Sequence, residues 1–402
     1  MRQNGSDQRP PLRIGIAGAG IGGLAAATLL ARAGHSVDIC DQFEAPRPIG
    51  SGLVIQPVGL SVLDRVGVGT EARHLGRRIV RLLGHEATKG LRVLDVSYGG
   101  PEAGLAIHRA SLFAILLQAA MNAGAQLHPG ARVSEAPRNG KERVLRQTSG
   151  EDLGPFDLVI DAAGAGSPLS SLKARPLPYG AIWGTVPWRE VPGLAPDLLT
   201  QRYRAANRMA GVLPIGTLPE GDRPLTAVFW SMSRGDLDTW EARPDMGWRD
   251  EAVALWPEAA AFFEAISGPE DMTIARYSHG TLARPYAPGL VHIGDAAHRT
   301  SPQLGQGANM ALLDAAALSL ALEQNAPEAA LVAYARMRRW HVRLYQGVSR
   351  LFTPQYQSDS RLLPILRDRV LFPLSQVPPL PGVLSGLVSG ALIPPLAGQA
   401  FD

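Results

Sequence analysis

Residues Ile14 to Ala31 form an uncharged run of 18, and Gly15, Gly18, Gly20, Gly22 and Gly23 crowd its first half. By length alone such a run is a candidate for a membrane-spanning helix. Glycine at that density resists the helix, because each one costs about 1 kcal/mol relative to alanine in a helix interior. Strand, turn and helix satisfy both halves. Leu12–Ala17 reads as a buried strand and the glycines as a turn. Leu24–Ala33, rich in strong helix formers, reads as a helix stopped at Gly34. Val37–Asp41 returns as a second strand, which makes a βαβ unit with a right-handed crossover.

The turn spells Gly18-Ala19-Gly20-Ile21-Gly22-Gly23, a G-x-G-x-x-G whose third glycine is Gly23, and Asp41 follows 18 residues later at the end of the second strand. Gly18 serves the tight turn, Gly20 lets a pyrophosphate approach the backbone, and Gly23 lets helix and strand pack closely. The helix start at Ile21 and Gly22 offers unpaired N–H groups and a positive dipole end for phosphates. Asp41 can accept from adenosine ribose hydroxyls. A dinucleotide site follows, with FAD and NAD both open.

A second run, "LVHIGDAAHRTSPQLGQGANMALLDAA", bears on that choice. The strand Leu290–Ile293 delivers Gly294 and Asp295 at its end, where doubly wound sheets bind ligands. An ionised Asp295 there needs hydrogen-bond partners, and a polyol chain supplies them. Pro302, Gly305, Gln306, Gly307, Ala308 and Asn309 form a small-residue loop entering a long helix, whose first N–H groups can stabilise negative charge.

Elsewhere, Gly59–Val66 reads as a helix, Ile79–Leu83 and Leu91–Val96 as alternating segments, and Ser111 as the cap of a helix running to about Asn122. Strands are expected at Gln126–His128, Val144–Gln147 and Phe156–Ile160. Six of the seven tryptophans fall between residues 174 and 286 among short β-like runs, which predicts an antiparallel sheet inserted into the nucleotide-binding fold. Trp256 is expected within a helix near Glu251–Ile266. Any of these tryptophans can line an aromatic pocket, though most aromatics are core. The resulting division is a tail over 1–10, a nucleotide-binding part over 11–173 that includes some strands of the second sheet, and a substrate domain mainly over 174–286. The nucleotide-binding fold returns over 287–350, and a helical, apolar tail occupies 351–402.

Composition excludes more than it assigns. The 39 basic and 36 acidic residues nearly balance, and no basic run points to nucleic acid. The lone Cys40 rules out an internal disulfide and fits a reducing, cytoplasmic setting. The histidines show no zinc-type spacing, so no metal site is expected, and no G-x-S-x-G elbow marks a hydrolase. His279 and His298 stay unassigned, and no catalytic residue is named. The uncharged stretch from Val370 to Phe401 is broken by prolines into pieces too short to cross a bilayer. It leaves three readings: packing on the protein or a second copy of the chain, peripheral contact with a membrane, or disorder.

On these motifs the chain resembles the group A flavoprotein monooxygenases, the para-hydroxybenzoate hydroxylase-like aromatic hydroxylases, from about Arg13 to Leu322. The resemblance implies a mixed α/β fold: a Rossmann-like, GR2-type FAD-binding domain, an inserted antiparallel-sheet substrate domain and a helical C-terminal region. It implies FAD as cofactor, with Asp295 on the ribityl chain, Gly305–Asn309 around the isoalloxazine, and Arg109 of "IHRASL" as a flavin contact. It also implies Arg47 and Gln56 of "RPIGSGLVIQ" as flavin-side residues. The implied chemistry is hydroxylation of a small aromatic or similar electron-rich substrate with O₂ and NAD(P)H through a flavin C4a-hydroperoxide. Two alternatives stand beside it: an FAD oxidoreductase that does not oxygenate (a reductase, dehydrogenase or halogenase), and a non-catalytic flavin-binding partner.

The stretch "DLVIDAAGAGSPLSS", Asp157–Ser171, aligns with that family's third motif, Asp-Gly-x-x-Ser-x-x-Arg. Gly164 and Ser167 match, whereas Ala163 and Ser170 replace its Asp and Arg, and Asp161 lies two residues early. The family uses the motif for flavin and nicotinamide together. The departures leave three readings: a retained FAD-side structural role, function displaced to Asp161, or a plain turn.

Overall fold

The computed structural model describes residues 10–45, 51–99 and 103–397. The nucleotide-type half is built from β1 (Arg13–Ala17), α1 (Ile21–Arg32), β2 (Ser36–Cys40), α2 (Arg109–Asn122), β3 (Gln126–His128), β4 (Leu158–Asp161), β5 (Tyr286–Ala287), β6 (Leu290–His292), α3 (Gly307–Gln324) and α4 (Pro327–Tyr356). Its six strands lie in the order β5-β6-β4-β1-β2-β3. All are parallel except β5, which runs antiparallel to β6. Strands covered on both faces must be apolar throughout, and Ile14, Ile16, Leu158, Ile160 and Val291 are each at most 1% exposed. Helices α1, α2 and α3 complete this core through Leu24, Ala25, Leu112, Leu116, Leu312 and Leu313.

The second sheet has eight strands in the order His298–Arg299, Met272–Thr281, Arg175–Pro187, Leu225–Ser233, Arg208–Gly216, Leu198–Arg204, Arg81–Glu86, Arg92–Ser97. Only the contact between Leu198–Arg204 and Arg81–Glu86 is parallel. The sheet therefore recruits two strands that precede α2, and its far edge is the segment that follows β6. Trp230, Trp240, Trp248 and Trp256 are buried with Phe262 and Phe263 beneath the short helices Arg234–Ala242 and Gly247–Leu255, so these four are core.

Two local expectations need correction. Ser111 does not cap α2; His108 does, its Nδ1 accepting from the Ala110 N–H at 3.0 Å, while the Ser111 hydroxyl donates to the Thr217 carbonyl at 2.7 Å. An imidazole nitrogen two residues upstream reaches the same orphan N–H as a hydroxyl would. The expected helix over 251–266 breaks at Trp256, because Pro257 brings no N–H to continue the ladder. Part of the tail packs on the protein, as one of its readings has it. Its final helix, Leu380–Ser389, is docked on the protein by Tyr345 Oη to Leu387 O at 2.9 Å and by Ser385 Oγ accepting from Gly99 N at 2.7 Å. Residues 362–377 instead turn large apolar side chains outward.

Candidate functional site

Because β1, β2, β4 and β6 are parallel, the turns at residues 18–23, 41–43, 162–171 and 294–306 leave one edge of the sheet together. This is the crevice at which doubly wound sheets take ligands. Gly18 has φ +105°, and a Cβ there would lie 2.6 Å from the Ala162 carbonyl oxygen. A Cβ on Gly23 would sit 2.1 Å from the Gly18 carbonyl oxygen, so this glycine is required by the fold itself. Gly20 differs: its ideal Cβ meets nothing within 4 Å, and its φ of −76° suits any residue. That space is a cradle a ligand can fill.

Helix α1 begins at Gly20 with no side-chain cap and no acid in its first turn, and α3 begins at Gln306 in the same state. Two uncapped N-termini bring free N–H groups and positive dipole ends to this edge. A Cβ on Gly307 would also meet nothing within 4 Å. Asp41 is held in place by both carboxylate oxygens, which accept from Ala19 N at 2.9 Å and Phe43 N at 3.0 Å. Its remaining lone pairs stay available to ribose hydroxyls.

Asp295, on the turn after β6, and Tyr277, on a strand of the second sheet, both lie within electrostatic reach of Arg109 at the start of α2. Asp295 and Arg109 present surface to solvent although protein crowds them, as residues lining a cleft do. Burial pushes the Asp295 carboxyl up, and His298, Arg109 and Arg299 pull it back. Burial pushes the Arg109 guanidinium down, with Asp295 and then Tyr277 opposing it. The Tyr277 hydroxyl is pushed up to about 12 by burial, although it accepts from Trp183 Nε1 at 3.1 Å and lies near Arg109. Tyr277 thus stays protonated at neutral pH.

The other predicted residues are positioned as follows. Gln56 is buried; its N–H donates to Asn309 Oδ1 at 2.8 Å, and its Oε1 accepts from Tyr98 Oη at 2.6 Å. Asn309 closes the circle by donating to Gly305 O at 2.8 Å and Val54 O at 3.3 Å. Gln56 and Asn309 therefore brace the loop rather than point into the cleft. Gln306 donates to Val388 O at 2.9 Å, and its buried Oε1 has no partner among the described residues. Pro302 is exposed, and Ile21 and Ala308 are half-buried at the two helix starts. Gly164, at φ +72°, opens a single 3₁₀ turn facing open space. Arg47 lies outside the described residues.

The third-motif stretch turns on Asp161, which is completely buried. Its carboxylate accepts from Ser167 Oγ at 2.7 Å and Ala163 N at 3.2 Å, and it meets His292 Nδ1 at 2.7 Å across the β4–β6 pair. Enclosed this way, Asp161 ties its loop to the neighbouring strand and presents nothing to the cleft. Ser170 is committed to the Ala296 carbonyl at 2.6 Å.

Sequence reasoning missed a buried triad. Asp314 Oδ2 accepts from Gly294 N at 2.8 Å and meets His298 Nε2 at 2.7 Å, while Oδ1 accepts from Arg338 Nε at 2.7 Å. Burial alone would raise the Asp314 carboxyl, but His298 and Arg338 outweigh it and hold the value at about 2. The triad fixes the turn that carries Asp295. The signal was present: Asp314 is the lone charge in the apolar run from Ala308 to Leu322, and a buried charge demands a partner. Tyr277 carried no comparable signal, since only folding brings its strand to Arg109.

The glycine cradle, the two uncapped helix ends and the acid poised beside the cleft fit a bound FAD. A sequence family described as an FAD binding domain matches residues 12–345. The chain is 29% identical over 347 residues to 3-amino-4-hydroxybenzoate 2-monooxygenase of Streptomyces cremeus, covering 81% of this chain and 83% of that one. It is 26% identical to 6-hydroxynicotinate 3-monooxygenase of Bordetella bronchiseptica, covering 78% and 83%. Among solved structures, a variant of Klebsiella pneumoniae HpxO complexed with FAD superposes with a TM-score of 0.78 at 21% identity, covering 95% of this chain and 100% of the other.

Proposed function

Since the chain belongs to the FAD binding domain family, we propose that it is an FAD-dependent monooxygenase placing one oxygen atom of O₂ on a small aromatic or similarly electron-rich molecule. NAD(P)H is the reductant in this reading. The observation that carries it is the open cradle at Gly20 and the uncapped starts of α1 and α3 at one sheet edge, with Arg109 within electrostatic reach of Asp295 and Tyr277. Gly18, Gly20 and the start of α1 would hold the pyrophosphate, Asp41 the adenosine ribose, Asp295 the ribityl chain, and Gly305–Asn309 the ring end. The bound group supplies the redox and oxygen chemistry; the protein supplies orientation, charge and exclusion of water. The α3 N-terminus offsets negative charge at the ring end. Tyr277, protonated and fixed by Trp183, offers a neutral hydrogen bond to a polar substituent of the substrate. The lone buried Cys40 supports a cytoplasmic setting, and the apolar tail is read as a contact surface for a second copy or a membrane.

The test is a visible spectrum of the purified protein, followed by O₂ uptake and NAD(P)H oxidation over a panel of phenols and aromatic acids. Substrate-stimulated uptake of both supports the proposal, and NAD(P)H oxidation without O₂ uptake sinks the oxygenase reading. Asp295→Ala should lose most of its bound flavin. Undiminished retention would remove Asp295 from the site.

A second reading keeps FAD without oxygenation, or with slow nicotinamide use. It is favoured by Ala163 and Ser170 standing where the family's third motif carries Asp and Arg, with Asp161 buried and Ser170 already bonded. Ala163→Asp should accelerate NAD(P)H-driven bleaching of the flavin if that departure limits nicotinamide use. An unchanged rate would show that it does not.

A further inference from the structure

The segment 362–375 is helical throughout, passing from Leu362–Leu366 through a π turn at Arg367–Leu371 to Phe372–Ser375. Its two faces are reversed from those of a surface helix. Outward at helical spacing lie Leu362, Ile365, Leu366, Val370 and Leu374, exposed by 77, 60, 43, 51 and 51%, and Val377 continues the row at 53%. The charged Arg367 points inward instead and is 1% exposed. It donates to the Gln355 carbonyl at 2.9 Å, to Asp368 at 2.6 Å, and stacks 5.1 Å from the ring centres of Tyr203 and Tyr356. Its cation therefore pins the helix to the body and forces the apolar face out. Six large aliphatic side chains in one row do not belong to the ordinary scatter of surface apolar residues.

Charge narrows what can cover this face. From residue 329 to 397 the only acids are Asp359 and Asp368, and both are engaged, by Tyr179 at 2.5 Å and by Arg367. The same stretch exposes Arg336, Arg339, Arg343, Arg350, Arg361 and Arg369, none of which forms an ion pair among the described residues. Arg361 and Arg369 border the apolar row directly. On α4, Arg350 and Leu351 share an exposed face with Arg343, Trp340 and Arg339, and both Arg339 and Arg343 lie about 5 Å from the Trp340 ring centre (5.0 and 5.3 Å). A two-fold contact between copies would set like arginines against one another. An anionic lipid surface complements both features, with aliphatic side chains in the acyl boundary and arginines at the headgroups. No single helix among the described residues is long and apolar enough to span a bilayer, and the 362–375 and 380–389 helices meet at 103° with Arg367 anchoring the first.

We propose that residues 362–377, bordered by Arg350, Arg361 and Arg369, form a docking face for an anionic lipid surface, lying in its plane rather than crossing it. The inference does not rest on the oxygenase reading.

The probe is flotation of the full-length protein with vesicles of phosphatidylcholine alone or of phosphatidylcholine mixed with phosphatidylglycerol. The wild type should float with the mixed vesicles at low salt and be released as salt rises. Ile365→Asp with Leu374→Asp, and separately Arg361→Glu with Arg369→Glu, should each lower vesicle binding about tenfold or more. All four positions are exposed, so the melting temperature and flavin content should not move, which separates lost binding from lost folding. No binding of the wild type to mixed vesicles, or equal binding of both variants, overturns the proposal. Sedimentation as a dimer that becomes monomeric in the Asp variant, without vesicle binding, overturns it in favour of a second copy.

Discussion

At the scale of residues, two glycines of one motif do different work. Gly23→Ala drives a methyl into the Gly18 carbonyl, so it should destabilise the fold by about 1–3 kcal/mol whether or not flavin is present. Gly20→Val meets open space and an allowed backbone conformation. It should leave flavin-free stability within about 1 kcal/mol of wild type while weakening FAD binding by about tenfold or more. Denaturant titration of the apoprotein together with flavin fluorescence separates the two effects. Asp314→Asn leaves Arg338 buried without its anion, and a loss of about 3–5 kcal/mol is expected. The sign with pH follows from a carboxyl held at about 2, below its unfolded value. The stability it supplies is present above about pH 4 and is lost as pH falls through about 2. A pH series of urea midpoints should show that acid limb in the wild type and a smaller one in Asp314→Asn.

At the scale of elements, β1, α1 and β2 were legible because their evidence is local: an apolar strand, a glycine turn, and helix formers ended by Gly34. The start of α2 was placed wrongly because Ser111 looks like a cap in sequence, and only the tertiary neighbour Thr217 claims its hydroxyl. The tail shows the same limit at larger size. Its apolar composition was plain, yet which part docks and which faces outward depends on Arg367 finding Tyr203 and Tyr356 on other elements. Arg367→Ala removes that anchor, so limited proteolysis should cut within residues 362–375 faster than in the wild type while β1–α1–β2 remains protected. Equal cutting rates would mean the helix is held by its flanks instead.

At the scale of the whole molecule, the proposed site lies at a seam. The loop after β6 carries Asp295, is fixed by Asp314, and ends as the edge strand His298–Arg299 of the second sheet. FAD held there at about a hundred times its Kd should add about 2.7 kcal/mol to unfolding. A rise in melting temperature with added FAD checks this, and Asp295→Ala should blunt it. The sequence by itself determined the βαβ start, the two glycine loops and a dinucleotide-type site, because these need only the backbone conformation of neighbouring residues and the chemistry of a phosphate. Tertiary structure alone decided that Asp161 is sealed against Ser167 and His292, and that Tyr277 and Asp295 come within electrostatic reach of Arg109. It also decided that strands from residues 81–97 complete the second sheet. Those contacts join residues that are distant in the chain, and burial, which sets both their charge and their partners, exists only once the chain is folded.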